Sequence, residues 1–146
     1  MAQITLFVAG SLGLMLGAAS AVRAQVMVIA SAASPISEMQ LRELRNLYKG
    51  RLSRLNGNPV IPLNTRPGSI DRRAFLNQVM EQNELDYTGY WHVRRYSGQG
   101  APPQEVETHE ELFERLKANS DLVGYIWTEP GQKPNLPDGL KLIRVR

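Results

Sequence analysis

The residues best placed to do chemistry gather at one joint in the chain. Leu63-Asn64-Thr65-Arg66-Pro67-Gly68-Ser69 leads from a short apolar run into a segment with helical spacing. Gly68 lets the backbone come close to a ligand, and a helix starting near Ser69 aims unpaired N–H groups at it. The Ser69 hydroxyl, the Ile70 N–H and the Arg66 and Arg72 guanidinium forks complete a set of donors suited to a small oxyanion. The same residues also read as a plain helix start, with Ser69 as its cap and Asp71 as a first-turn charge favoured by the helix dipole.

Catalytic templates are lacking. The sequence holds no G-x-S-x-G, H-E-x-x-H or P-loop, and no local spacing links its Ser, His and Asp residues. With no Cys there is no thiol nucleophile, disulfide or thiolate metal site. Two histidines, His92 and His109, make a poor zinc set. His92 beside Trp91 reads as a packing or hydrogen-bonding residue, and His109 as an exposed member of a capping box. Glu105, Glu107, Glu110, Glu111 and Glu114 read as a helix N-terminus and its solvated face. The expectation is a protein without catalytic residues, metal or cofactor.

The elements that position the joint follow from periodicity. Gln25–Ser31 is a buried-strand pattern. Ser37-Glu38-Met39-Gln40 has the form of a capping box, followed by Leu41, Leu44, Leu47 and Tyr48 on one helical face, with Gly50 ending the helix. A second strand spans residues 60–64, and its Pro62, which has no N–H, predicts an edge or end position. Ala74, Phe75, Val79 and Met80 share one face of the helix after Ser69, and residues 85–96 form an aromatic helix that buries Trp91. Thr108-His109-Glu110-Glu111 caps another helix, and residues 121–127 and 140–145 are strands. Strands alternating with helices predict an α/β sandwich of three layers with partly parallel pairing.

Residues 4–21 are almost wholly apolar or small, and Val22-Arg23-Ala24 follows as a small-x-small cleavage pattern. Residues 1–24 are therefore expected to be a cleaved secretory signal, and 25–146 a single exported periplasmic domain. The apolar stretch is short and Gly/Ala-rich for a membrane span, although an uncleaved anchor is the alternative. In the 146-residue chain, 17 Lys and Arg stand against 14 Asp and Glu, a net charge of +3 that permits an anionic partner without requiring one. Thirteen of the 17 basic residues are Arg, whose planar fork suits phosphate and carboxylate.

The order of these pieces resembles one lobe of the phosphate-binding protein of bacterial phosphate ABC transporters. The resemblance rests on residues 26–50, Val60-Ile61-Pro62-Leu63-Asn64 and Gly68-Ser69-Ile70-Asp71-Arg72-Arg73-Ala74-Phe75. Trp91, the Ser97–Pro103 loop and Val123-Gly124-Tyr125-Ile126 complete it, so that it runs from about Val26 to Val145. It implies a periplasmic-binding-protein-like lobe and a ligand, inorganic phosphate or a similar oxyanion, held in that family between two lobes. The family's Arg-x-x-Gly-Ser-Gly-Thr loop maps onto Gly68 and Ser69, with Arg66 near its Arg. Here the Arg–Gly spacing is one residue shorter, Ile70 stands for the second Gly and Asp71 for the Thr. An added carboxylate and a lost hydroxyl imply weak binding. Two readings follow. One is an oxyanion-binding protein linked to phosphate transport; the other is a non-enzymatic interaction module that kept the fold, lost the ligand and contacts a periplasmic or membrane protein. Neither involves nucleic acid.

Overall fold

A computed structural model describes residues 25–146, and the leader-like segment 1–24 lies outside the described residues. The strands are β1 (Gln25–Ser31), β2 (Glu38–Met39), β3 (Arg54–Leu55), β4 (Asn58–Pro59), β5 (Ile61–Thr65), β6 (Gln104–Val106), β7 (Leu122–Thr128) and β8 (Leu140–Val145). The helices are α1 (Leu41–Tyr48), α2 (Ile70–Phe75, running on as a π-helical turn over Leu76–Met80), α3 (Glu84–Tyr96) and α4 (His109–Ala118). Six strands form one sheet in the order β2-β8-β1-β7-β5-β6, and β3 and β4 make a separate hairpin. Pairing is mixed: β1 runs antiparallel to β7 and β8, while β5 runs parallel to β7 and β6.

Side chains alternate across the strands and split the core in two. Val28, Ala30, Val123 and Tyr125 face α1, α2 and α3, packing against Leu44, Tyr48, Phe75 and Trp91. Ile29, Leu63, Leu122 and Ile126 face the other way and pack on Leu112 and Leu116 of α4. Helices therefore cover both faces, and the result is a three-layer α/β sandwich. Both layers bury their apolar stripes by the same period-2 against period-3.6 matching.

Two expectations need correction, and one holds for a local reason. Ser37 does not cap α1. The N-cap is Gln40, whose backbone N–H donates to Glu43 at 2.7 Å, because residues 38–39 are drawn into pairing with β8. Pro62 stands at the end of β5, as its missing N–H predicts: β5 lies between β7 and β6, but its pairing with β6 runs only from Leu63 to Thr65. The imide is tolerated for a local reason. Arg66 N–H donates to Val106 on the β6 side, so Pro62, four residues earlier, faces that side too, where pairing begins only at Leu63. His92 is neither packed nor bonded within the core; it is exposed on the outer face of α3.

Helix α1 ends as expected at Gly50, with φ +66, a conformation that a side chain would strain. The space there is also taken, because a Cβ would lie 2.6 Å from the Trp91 ring. The carbonyls at this end gain donors from α3: Tyr90 hydroxyl donates to Lys49 at 2.7 Å and the Arg94 guanidinium to Gly50 at 3.2 Å. These bonds fix α3 beside α1, with Trp91 buried between them.

Candidate functional site

The joint sits where β5 leaves the sheet and α2 begins. Gly68 adopts φ +82, which only glycine takes without strain, and turns the chain into Ser69. Ser69 is the N-cap, and its hydroxyl accepts from Arg72 N–H at 3.1 Å. The same hydroxyl donates to Thr65 Oγ1 at 3.1 Å, which donates to Tyr125 Oη at 3.1 Å, which donates in turn to Asn64 Oδ1. Asn64 Nδ2 then donates to Tyr87 Oη at 3.2 Å, and Tyr87 donates to the Tyr48 carbonyl at 3.1 Å. One directed chain of hydroxyl and amide groups thus runs from the helix cap into the core. Burial pushes the Tyr87 phenol up to about 12, against the opposing pull of its hydrogen bonds and of Arg72, and raises the phenols of Tyr125 and Tyr48 as well.

Arg72 is the centre of the site. Its side chain is only 4% exposed, and its Cζ lies over the Tyr87 ring, 5.1 Å from the centroid. Nε and Nη2 grip both oxygens of Glu84 at 3.0 and 2.7 Å. Nη1 donates to the Thr65 carbonyl at 3.1 Å and to Glu105 at 3.2 Å. Burial works against the charge of Arg72, yet its pKa is raised overall, through its hydrogen bond to Glu84 and the charge of that carboxylate. The two carboxylates are 39% and 43% exposed, so they bring water-facing negative charge to a guanidinium that water hardly reaches.

Asp71 is likewise more than a first-turn charge. It is buried, accepts from the Trp127 N–H at 2.7 Å, and pairs with His109 Nε2 at 2.9 Å. It ties α2 to β7 and to the start of α4. The Glu105 reading also changes: this residue belongs to β6 and to Arg72, not to the solvated face of α4. Thr108 does cap α4, accepting from Glu111 N–H at 3.1 Å, while the Glu111 carboxylate accepts from Glu107 N–H.

The five predicted site residues are therefore brought to one place but differ in what they have to offer. Arg72 and the Ser69 hydroxyl are engaged by the protein itself, and Ser69 N–H donates to the Arg66 carbonyl at 3.2 Å. Arg66 is exposed, and among the described residues its guanidinium has no hydrogen-bond or ion-pair partner. Ile70 N–H and Asp71 N–H at the helix start are in the same position, as a first turn leaves them. Gly68 and Ile70 are exposed at the rim. Sequence reasoning missed Glu84, Glu105 and Asn64. Nothing local marks them, because they reach Arg72 and the tyrosines across 12 to 61 positions of chain.

The sheet order, the two-sided helix cover and the loop at the end of β5 define a single lobe of a periplasmic-binding-protein-like fold. Solved structures carry the same likeness. A putative phosphate ABC transporter substrate-binding protein with bound phosphate from Clostridium perfringens superposes with a TM-score of 0.62 at 16% identity, covering 84% of this chain and 45% of that one. An ABC-type phosphate transport receptor from Vibrio cholerae gives 0.60 at 14% identity over 84% and 46%, and PstS from Borrelia burgdorferi 0.61 at 13% over 84% and 47%. The chain spans less than half the length of these proteins, which are binding proteins and receptors rather than enzymes. Neither a protein-family model nor a curated protein matches the sequence.

Proposed function

We propose that this chain is a non-enzymatic exported module that keeps the phosphate-binding-protein lobe and fills the anion position of its loop with its own carboxylates. The observation that carries this reading is Arg72. A guanidinium that could hold an oxyanion is gripped at both ends by Glu84 and Glu105. Two carboxylates beside one cation leave the spot net negative, so phosphate meets repulsion there as well as a shortage of donors. Export rests on the apolar, small-residue segment 4–21 and its cleavage pattern, which would place the module in the periplasm facing a protein partner.

One observation favours the second reading, weak oxyanion binding linked to phosphate transport. Arg66, Gly68 and the N–H groups of Ile70 and Asp71 keep open donors beside the engaged Ser69 and Arg72. A ligand there would sit at the rim, with Arg72 as a support behind it. Titration with phosphate and with sulfate, followed by backbone amide resonances, separates the two. The module reading expects the amides of residues 66–73 to stay still at about 10 mM of either anion, a concentration that detects even millimolar affinity. Saturable shifts centred on Ile70 and Asp71, abolished by Arg66→Ala, would overturn it in favour of the oxyanion.

A further inference from the structure

A hollow of about 970 Å³ opens between the flank of α2 and the chain that leads into α3. Ile70, Arg73 and Asn77, at i, i+3 and i+7, line one bank, and Gln82 and Asp86 stand on the other. Trp127 borders the hollow from the sheet. It shares a face of β7 with Val123 and Tyr125, two residues past the Tyr125 ring that stacks on Phe75, and it is half-buried where Tyr125 is shut off from water. The second bank is shaped by an irregular backbone. The π-helical turn ends with Gln82 N–H donating to the Leu76 carbonyl at 3.0 Å, and Glu81 takes φ +54, a left-handed conformation uncommon for a residue with a side chain. A fold keeps such costly geometry most often where a site uses it.

We propose that this hollow binds a neutral saccharide, one sugar ring lying on Trp127. Charge, hydrogen bonding and apolar contact each point to that class. Among the acidic groups at the rim, Glu81 is held by Arg45 and Glu84 by Arg72. Arg73 and Asp86 remain, one of each sign, and among the described residues neither side chain has a hydrogen-bond or ion-pair partner. A ligand's net charge therefore finds no excess of the opposite sign. The exposed Asn77 amide is unengaged in the same way, and Gln82 Oε1 is buried without a donor. These groups are a donor fork, an amide that both donates and accepts, and two acceptors. A ring carrying several hydroxyls, each donor and acceptor at once, matches that mixture. The indole offers an electron-rich face that attracts the C–H face of a pyranose, and Ile70, 49% exposed, adds apolar surface beside it. A purely apolar ligand would leave the polar groups unmatched, and an anion could use Arg73 alone. The volume suits a ligand of roughly two or three rings.

The proposal goes beyond the module reading and does not depend on it. It uses side chains along the flank of α2, not Arg66 and the N–H groups at the helix start. The phosphate titration and a saccharide titration therefore fail separately.

Titration of the chain, as its host processes it, with chitotriose and with maltotriose is the test, followed by the indole N–H resonances of its two tryptophans. Both probes are uncharged trisaccharides, one with acetamido groups and one without. The Trp127 resonance, assigned with Trp127→Phe, should move saturably with at least one of them, at a Kd of about 1 mM or below. That of the buried Trp91 should stay still. Arg73→Ala and Asn77→Ala remove exposed side chains that hold nothing among the described residues, so both variants should melt close to wild type and each weaken binding about tenfold. The proposal is overturned if neither trisaccharide moves Trp127 at about 20 mM, or if binding is unchanged in both variants. It is overturned as well if phosphate moves the resonance and neither sugar does.

Discussion

Replacing both carboxylates around Arg72, as Glu84→Gln with Glu105→Gln, keeps their shape and a carbonyl acceptor on each but removes two negative charges. The guanidinium, 4% exposed, is then a buried cation without a counter-charge. Breaking a buried ion pair in this way costs about 3–5 kcal/mol, and because the carboxylates are 39% and 43% exposed, water already screens part of the attraction. A loss of about 3 kcal/mol is therefore expected, or roughly 10–15 °C in Tm for a domain of this size. The variant should also acquire what the wild type gives up. An external anion can now neutralise Arg72, and at 100 times its Kd it restores about 2.7 kcal/mol. Scanning calorimetry in a zwitterionic buffer, with and without sulfate or phosphate at fixed ionic strength, measures both effects. The wild-type Tm should be nearly indifferent to these anions, and the double variant should recover most of its deficit. A double variant that melts within about 2 °C of wild type would show that the carboxylates do not hold Arg72. One that melts low but gains nothing from either anion would refute the view that they fill an anion position.

Asp71→Ala removes the acceptor for the Trp127 N–H and leaves that donor unmatched at the α2–β7 contact; a loss of about 2–3 kcal/mol is expected by urea denaturation, well above what a first-turn charge alone contributes. Trp91→Ala empties the space between α1 and α3 and should cost roughly 3–5 kcal/mol, so an unchanged melting temperature would refute the packing described. Alkaline pH should unfold the protein through its tyrosines. The Tyr87 phenol stands at about 12 in the fold against about 10 in the unfolded chain, so its stabilising share is complete below pH 10 and falls away as pH rises toward 12. Tyr87 alone accounts for about 2–3 kcal/mol there, and absorbance near 295 nm should show the buried phenols ionising together with the loss of circular dichroism.

The local elements were legible in the sequence because each is coded by neighbours in the chain. The β1 and β8 boundaries, the Ser69 and Thr108 caps, the turn at Gly50 and the burial of Trp91 follow from apolar periodicity and from hydrogen bonds that span three or four residues. The α/β class and the joint at residues 63–69 were readable for the same reason. Pairing was not. Ser37 lost its capping role because β8, about a hundred residues later, recruits the segment beside it, and where the pairing of β5 with β6 begins, one residue past Pro62, is set by a strand some forty residues away. The site depended most on tertiary structure. Arg66, Gly68, Ser69, Ile70 and Arg72 could be listed as donors from sequence, but whether a donor is open depends on which acceptors the fold carries to it. Glu84 comes from α3 and Glu105 from β6, and carboxylates on exposed-looking segments carry no local sign that a buried guanidinium waits for them. Electrostatic pairing of this kind is set by distance in space, which sequence spacing beyond a turn or two does not encode.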